Sequence, residues 1–181
     1  MTTLSLASLS AFASPQSFAA ATALGLLLSV SCGLRAFLVP FALSVAGYEH
    51  WITLGPDFQW MANGFVAATF SLAIMIELVS DKIPAVNHLF DSAHIVLKPV
   101  LAALAGAALL QGPNGNPMLA CVVGLCTAGT VAGVTHLTKA GVRLGSAAGT
   151  GGVATPVLSL VEDAVSIGLT ALLGWGAVHI G

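Results

Sequence analysis

Residues 118–134 read MLACVVGLCTAGTVAGV, a run of seventeen residues without a charged side chain. With its apolar neighbours it reaches the roughly 20 residues that a helix needs to cross a bilayer. The same character extends along the chain, because 57% of its 181 residues are hydrophobic, 7% are charged and the formal net charge is −2. A soluble domain has about a quarter charged residues. The composition therefore predicts an integral membrane protein with one compact domain.

The composition also excludes other classes of protein. There is no basic face to neutralise phosphates, which excludes nucleic acid as the main partner. Disordered chains are poor in apolar residues, and this chain is rich in them. Cys32, Cys121 and Cys126 show no paired spacing and are typical of packing thiols. Because no nucleophile stands beside a base, we expect no enzyme and no resident cofactor.

The predicted fold class is all-α, a multi-pass membrane protein with about five transmembrane helices in hairpins broken by Gly and Pro. A segment in lipid must satisfy its backbone internally, so long apolar runs predict helices. The expected spans lie at about 17–47, 60–79, 91–110, 117–138 and 156–178. Residues 1–16 are expected to form an N-terminal segment, and residues 17–181 a single transmembrane domain.

Basic residues in the connections indicate the orientation. Lys82 lies between the second and third spans, and Lys139 and Arg143 lie between the fourth and fifth. The connections at 48–59 and 111–117 carry no Lys or Arg. Because short cytoplasmic loops are enriched in basic residues, we expect the N-terminus in the cytoplasm.

Two parts of the chain, 60–111 and 117–178, show a weak internal repeat. The second arm of each contains the same tripeptide, Pro99-Val100-Leu101 in one and Pro156-Val157-Leu158 in the other. Matched Pro breaks in two halves accompany the binding sites of some transporters. Short matches of this kind also arise by chance in apolar sequence, so both interpretations stay open.

Arg35 is the least expected residue of the first span. It lies in the segment SCGLRAFLVP, residues 31–40, with apolar residues for about a turn on each side. An Arg at the bilayer centre costs about 2.5–3.5 kcal/mol unless a carboxylate, a carbonyl or water accompanies it. Pro40 frees a carbonyl and is expected to kink the helix. Arg35 is predicted either to line a pathway or to serve a structural ion pair or interface.

The other spans bring ionisable groups toward the same half of the membrane. Charges in lipid seek each other or water, so these side chains are predicted to meet in a hydrated interior that conducts or binds an ion. The expected pathway residues are Arg35, Glu77, Asp81, His136, Glu162 and Asp163. A secondary polar face comprises Asp91, His94, Lys98 and Lys139. Helix-end charges in the headgroup zone are the ordinary alternative.

Two further kinds of site have weaker support. Carboxylates and imidazoles suit divalent cations, and the metal candidates are Glu77, Asp81, His136 and Glu162. The Gly-rich stretch 145–152 is expected to form a connection whose backbone N–H groups bind an anion or a lipid headgroup. The residues expected there are Lys82, Arg143, Thr150, Gly151 and Gly152. A bound lipid or divalent cation would fit these sites.

Several motifs in order resemble one family. Residues 32–38 read CGLRAFL, and Pro40, Glu77-x-x-x-Asp81-Lys82-Ile83-Pro84 and Thr150-Gly151-Gly152 follow, with Pro156, Ser159, Glu162 and Asp163 after them. Over about residues 20–178 they resemble a small bacterial integral-membrane family known as a domain of unknown function, DUF4126. The resemblance implies a bacterial inner-membrane location and charged positions that mark the family, and it implies no activity.

Three functions fit the sequence. The first is a small transporter or channel for a cation or proton, in which the carboxylates bind the ion. Five helices enclose little space, so we expect a homo-oligomer. The second is a protein that binds or flips a lipid or isoprenoid phosphate. The third is a structural subunit of a larger membrane complex. Membrane lipids are expected partners in each case.

Overall fold

The described part of the chain is built from helices. The computed structural model describes residues 26–81, 84–110, 117–151 and 153–180, and these contain no strand. The helices are α1 (26–34), α2 (Leu38–Tyr48), α3 (Gly64–Ser80), α4 (Pro84–Leu110), α5 (Pro117–Gly124), α6 (Thr130–Thr150) and α7 (Thr155–Ile180). A 3₁₀ helix, Pro56–Met61, precedes α3, and a π-helical turn, Leu125–Gly129, joins α5 to α6. The predicted all-α class is confirmed, while the segment 1–16 lies outside the described residues.

The first predicted span is interrupted. The single helix expected over 17–47 is wrong, because α1 ends at Leu34 and α2 begins at Leu38. Pro40 has no N–H to donate to the Ala36 carbonyl, so the helical ladder stops there. The Cys32 thiol lies 3.6 Å from that carbonyl and donates to it instead. The break therefore leaves backbone groups near Arg35 open to other partners.

Helix α6 is longer than the sequence indicates. The end expected near Thr138, and the connection expected over 145–152, are wrong because the helix continues to Thr150. Glycine in a helix costs about 1 kcal/mol relative to alanine, which is less than the cost of leaving backbone groups unsatisfied in an apolar environment. The helix ends where Gly151 adopts a left-handed conformation with φ of 63°. Such a residue is a common helix C-terminal signal.

The remaining boundaries differ by smaller amounts. Helix α3 begins at Gly64 rather than near Trp60, because the Asn63 side chain caps it through a 2.8 Å hydrogen bond from the Phe65 N–H. Helix α4 begins at Pro84, seven residues before the expected start at Asp91. A proline at the first helical position suits a helix start. Helix α7 agrees with the expected fifth span.

Polarity in this fold is distributed unlike that of a soluble protein, although an apolar core around Val39, Met61 and Leu101 is also buried. Large apolar side chains are exposed along the helices, including Phe65, Leu72, Val96, Met118 and Leu160. The buried groups include Arg, Lys, Glu, Asp and His side chains. Within the described ranges, two helical stretches are long and apolar enough to cross a membrane, Ser92–Leu109 in α4 and Pro117–Thr150 across α5 and α6. The coarse expectation of a helical chain with membrane-compatible helices is confirmed.

Small residues allow the helices to approach closely. A Cβ added at Gly33 of α1 would lie 2.6 Å from both the Ala132 carbonyl oxygen and the Thr135 Cβ of α6. A Cβ at Gly124 would lie 2.5 Å from the Ala103 carbonyl of α4. Close backbone approach through small residues is the usual basis of helix packing in membranes. The Gly33 contact places α1 against α6, beside the helix break, and the Gly124 contact places α5 against α4.

We expect Gly33→Ala to lower the stability of the protein by about 1–3 kcal/mol, the usual cost of overpacking. The added methyl group must push α1 away from α6. Thermal unfolding in detergent measures the effect. The matched control is Gly141→Ala, because nothing lies within 4 Å of that position in α6. The control should raise stability by about 0.5–1 kcal/mol through helix propensity. Equal unfolding temperatures for Gly33→Ala and wild type would contradict the close crossing.

Candidate functional site

Eight charged side chains meet beside the break between α1 and α2. They are Arg35 at the break, Glu77 and Asp81 of α3 and its C-cap, Lys98 of α4, Lys139 and Arg143 of α6, and Glu162 and Asp163 of α7. We refer to these eight residues as the charge cluster. It contains four of the chain's five basic residues and four of its seven acids, so it is neutral overall.

Arg35 connects three parts of the fold. Its guanidinium donates to Asp81 Oδ2 at 2.5 Å, to Asp163 Oδ1, and to the Ser159 hydroxyl at 3.4 Å. The residue is only 2% exposed. Two carboxylates on one buried guanidinium supply the neutralisation that Arg needs away from water. Arg35 therefore ties the helix break to α3 and α7.

Asp81 and Glu162 share the basic side chains of α6. Arg143 donates to both Glu162 oxygens, from Nε at 3.2 Å and from Nη2 at 2.6 Å, and Nη2 also lies 3.2 Å from Asp81 Oδ2. Lys139 Nζ lies 3.1 Å from Glu162 Oε2 and 3.5 Å from Asp81 Oδ2. Lys139 and Arg143 are four residues apart and so share one face of the helix. The two acids are thus bridged by two cations.

The backbone of the break takes part in the same network. The Leu34 carbonyl, at the end of α1, accepts hydrogen bonds from Lys98 Nζ at 3.1 Å and Lys139 Nζ at 3.2 Å. The Ala36 N–H donates to Glu77 Oε1 at 3.0 Å. A helix C-terminus carries partial negative charge and an N-terminus partial positive charge. The broken helix therefore presents each end to a side chain of complementary charge.

A second part of the network leads to the histidines. Lys98 Nζ lies 3.3 Å from His136 Nδ1 and 4.0 Å from Glu77 Oε1. The His136 ring meets the His94 ring edge-on, with centroids 6.2 Å apart. Among the described residues, four buried polar atoms have no hydrogen-bond partner: Glu77 Oε2, His94 Nε2, Arg35 Nε and Ser44 Oγ. Buried polar atoms are nearly always paired, so Glu77 Oε2 and His94 Nε2 are open to a further partner.

Asp81 has three cationic partners in the described chain. Nitrogen atoms of Arg35, Arg143 and Lys139 lie 2.5 Å, 3.2 Å and 3.5 Å from its Oδ2. Three basic side chains therefore depend on its charge. Removing one partner from a buried ion pair leaves an uncompensated charge, which is the costly change.

The structure brings together all six residues expected in the pathway. Arg35, Glu77, Asp81 and His136 are buried, and Glu162 and Asp163 are partly buried. His94, Lys98 and Lys139, expected on a secondary face, also lie in or beside the charge cluster. The side chain of Asp91 lies outside the described part of the chain. The convergence of these groups was predictable from their unfavourable placement in apolar sequence.

The anion or headgroup site expected around the Gly-rich stretch does not form as predicted. Arg143 is buried in the charge cluster and binds Glu162 and Asp81. Thr150 and Gly151 lie at the end of α6, about 10 Å further along the helix axis. The Thr150 hydroxyl donates to the Ser146 carbonyl within the helix. Lys82 and Gly152 lie outside the described residues.

The metal candidates do not form a ligand set. Within the part of the chain that the structure describes, no group of three or more His, Cys, Asp and Glu side chains is arranged to hold a metal ion. Asp81 and Glu162 face Lys and Arg side chains instead. A metal ion at these carboxylates would first have to displace a cation of the protein.

Several hydroxyl groups near the charge cluster were not among the site residues expected from the sequence. The Ser31 hydroxyl lies 3.1 Å from Ser166 Oγ and 2.7 Å from Thr170 Oγ1. Ser159, Asp163, Ser166 and Thr170 follow a helical spacing of four, three and four residues on α7. That spacing is a signal for one polar face. It extends the polar contact between α1 and α7 beyond Arg35.

Comparison with known proteins identifies one family. The family model described as Domain of unknown function (DUF4126) matches residues 22–175. The match covers the helix break and every residue of the charge cluster. Neither a curated protein nor a solved structure gives a match. The charge cluster itself therefore carries the functional argument.

We expect Asp81→Asn to destabilise the protein by about 3–5 kcal/mol, the usual cost of removing one partner from a buried ion pair. Asn keeps the size of the side chain but leaves Arg35, Lys139 and Arg143 with too little negative charge. Unfolding in mixed detergent monitored by circular dichroism measures the loss. The control is Glu49→Gln, which neutralises an exposed acid at the C-cap of α2 and should change stability by less than about 0.5 kcal/mol. Similar stability for both variants would refute the pairing.

Proposed function

The chain belongs to the DUF4126 family of domains of unknown function, and we propose that it is a membrane protein that transports protons through the charge cluster and the adjoining histidines. In this proposal the chain crosses the membrane about five times. The crossings are the interrupted pair α1 and α2, then α3, α4, the α5–α6 unit and α7. The N-terminus lies in the cytoplasm, the membrane is the bacterial inner membrane, and copies of the chain associate as a homo-oligomer.

The distribution of polarity supports a membrane location. Exposed Ile76 and Val79 are close in sequence to buried Glu77 and Ser80 on α3, and exposed Leu137 and Val142 lie near buried His136 and Lys139 on α6. Each helix therefore has an apolar outer side at the level where its inner side is charged. Ionisable residues inside a membrane face the bundle interior and mark ion or proton paths. The pattern also occurs on α3, which is shorter than the two helical stretches that are long enough to cross a membrane, so it supports a membrane location for α3 as well.

The balance of charge supports a proton rather than a metal ion. Four carboxylates face four basic side chains, so the charge cluster lacks the excess negative charge that would attract Na⁺ or Ca²⁺. A proton needs only groups that exchange it at short range. Glu77, Lys98, His136 and His94 form such a series, with separations of 4.0 Å and 3.3 Å for the first two steps. Chains of Glu and His serve this purpose in pumps and transporters.

The unpartnered atoms are the single observation that carries the proposal. Glu77 Oε2 and His94 Nε2 lie at the two ends of the Glu77–Lys98–His136–His94 series and have no partner within the described residues. A network with only a structural role gains by satisfying every buried polar atom. Arg35 Nε also lacks a partner, but a guanidinium stays protonated and cannot pass a proton on. Open positions at the ends are what a path requires for a proton to enter and leave.

The break between α1 and α2 supports movement. Discontinuous helices with charged groups at their free ends are typical of transporter binding sites near the membrane midplane. Glu77 accepts a hydrogen bond from the N–H of Ala36, the residue after Arg35 in the break. Protonation of Glu77 would weaken this hydrogen bond. The proposal therefore couples the charge of Glu77 to the geometry of α2.

We expect reconstituted protein to carry protons down an imposed gradient, and we expect Glu77→Gln to reduce the flux at least about tenfold, within the range for loss of a proton-transferring group. Gln keeps an acceptor for the Ala36 N–H but cannot take up the proton. A pH-sensitive dye inside liposomes measures the flux. The matched control is Glu49→Gln, an exposed acid outside the charge cluster, which should transport at the wild-type rate.

Two outcomes would overturn the proposal. Wild-type liposomes that are no more permeable to protons than empty liposomes would exclude transport and favour a structural role for the ion pairs. Sodium or potassium flux equal to the proton flux would contradict the argument from charge balance. Copurification with a second protein at fixed ratio would instead favour a subunit of a larger complex.

A further inference from the structure

A groove opens beside the charge cluster between α1, α6 and α7. Its volume is about 340 Å³, within the size range of small-molecule sites. Its apolar lining residues are Leu34 of α1, Val134 and Val142 of α6, and Leu158 and Val161 of α7, which we call its walls. Its charged lining residues are Lys139 and Glu162, which we call its floor. The groove therefore joins an apolar outer surface to the ion pairs inside. The proton path through Glu77 and His94 does not use it.

The apolar wall residues of the groove are exposed on the outer surface of the helices, where lipid would contact them. Val134, Val142 and Val161 are each more than half exposed, although they are apolar. Val134 and Val142 lie on the stretch Pro117–Thr150, which is long and apolar enough to span a membrane. An exposed apolar groove on such a helix is covered by the hydrocarbon of the bilayer. An unbranched apolar chain fits a groove of this kind better than water, which needs several polar partners.

At the floor of the groove, Glu162 can accept a further hydrogen bond. The Glu162 side chain is 13% exposed, and the side chains of the cations that bind it are 7% exposed or less. Within the described ranges, Glu162 Oε1 accepts one hydrogen bond, from Arg143 Nε at 3.2 Å. A carboxylate oxygen accepts two, so Oε1 retains an acceptor position. The Lys139 ammonium already meets Leu34 O, Glu162 and Asp81. The groove can thus accept a donor but offers no unused cation to an anion.

We propose that this groove is a binding site for a neutral, single-chain amphiphile from the membrane, whose hydroxyl group donates to Glu162 while its chain lies along Val134, Leu158 and Val161. A neutral ligand suits the charge cluster because four acids already balance four bases. A carboxylate headgroup would face the Glu162 carboxylate, and an ammonium headgroup would add a fifth positive charge. The site shares Lys139 and Glu162 with the charge cluster but contains none of the Glu77–Lys98–His136–His94 series.

The depth of the floor agrees with such a ligand. Glu162 lies seven residues after the start of α7 at Thr155, which corresponds to about 10 Å along the helix. In the proposed membrane arrangement, with α7 entering the bilayer near Thr155, a phospholipid headgroup at the surface does not reach this depth without leaving the interface. A hydroxyl carried on one chain reaches it while the chain stays in hydrocarbon. The hydroxyls of Thr135 and Thr138 do not compete, because they donate to Val131 and Val134 within α6.

The experiment uses full-length protein in mixed micelles with photoactivatable 1-monooleoylglycerol, which carries a diazirine in its chain, and with the corresponding probe of methyl oleate, which has no donor. Labelled peptides are mapped by mass spectrometry, and unlabelled ligand is used as competitor. We expect labelling of residues 134–142 and 158–161, with half-saturation at about tenfold lower concentration for the glycerol probe. That difference corresponds to one hydrogen bond to a charged group. Oleate and oleylamine should compete more weakly than monooleoylglycerol.

Two variants test the location. Val161→Trp places a ring in the groove and should reduce labelling at least about tenfold, because the ring and the chain cannot occupy the same volume. Leu172→Trp is the matched control, since Leu172 is an exposed apolar residue of the same helix, about 16 Å further along it. It should label as the wild type does. Thermal unfolding of both variants verifies that the fold is retained.

The outcomes separate this proposal from the transport proposal. Equal labelling by the two probes, labelling spread over all exposed helices, or unchanged labelling of Val161→Trp would each overturn the groove as a site for a hydroxyl-bearing amphiphile. Stronger competition by oleate or oleylamine would overturn the argument for a neutral ligand. Proton flux is measured on the same preparations. Flux without specific labelling refutes only the groove, and specific labelling without flux refutes only the transport proposal.

Discussion

The pairing of Arg35 with Asp81 and Asp163 is the interaction on which the arrangement of helices depends. A guanidinium in an apolar bundle is tolerated only when carboxylates accompany it, because the loss of hydration must be offset locally. The two acids come from the end of α3 and from α7, so Arg35 draws both toward the break. Lys139 and Arg143 then extend the pairing from Asp81 to Glu162. These ion pairs fix the charged side chains relative to one another and thereby fix the helices that carry them.

The break between α1 and α2 is a consequence of the same constraint. In a continuous helix the Leu34 carbonyl and the Ala36 N–H would bind backbone groups four residues away. Because the helix stops, Leu34 accepts from two lysines and Ala36 donates to Glu77. The lysines of α4 and α6 therefore have an acceptor that no side chain needs to supply. Pro40 makes the interruption inexpensive, since the backbone at that position lacks a donor in any case.

Sequence predicts the membership of the charge cluster better than the shape of the backbone around it. Charges such as Arg35 and Glu77 stand out because hydrocarbon does not tolerate them alone, and that physical rule holds regardless of detailed geometry. The length of α6 was not predictable from glycine content, because the propensity penalty at Gly141 and Gly145 is small beside the backbone requirement in lipid. The role of the Leu34 carbonyl as an acceptor for Lys98 and Lys139 was not predictable for another reason. Every residue has a backbone carbonyl, and this one is available to side chains only because the helix is interrupted there.

The pairing of buried polar groups in this network is incomplete. Around Arg35 and Arg143, Asp81 contacts three cations, Glu162 contacts two and Asp163 contacts one, while the buried Arg35 Nε has no partner in the described chain. Around Glu77 and His94, a buried carboxylate oxygen and a buried imidazole nitrogen have no partner there either. Leaving such atoms unpaired costs about 1–3 kcal/mol each. In the proposed proton path, the ion pairs of Arg35 and Arg143 hold the helix break in place, while Glu77 and His94 bind and release the proton.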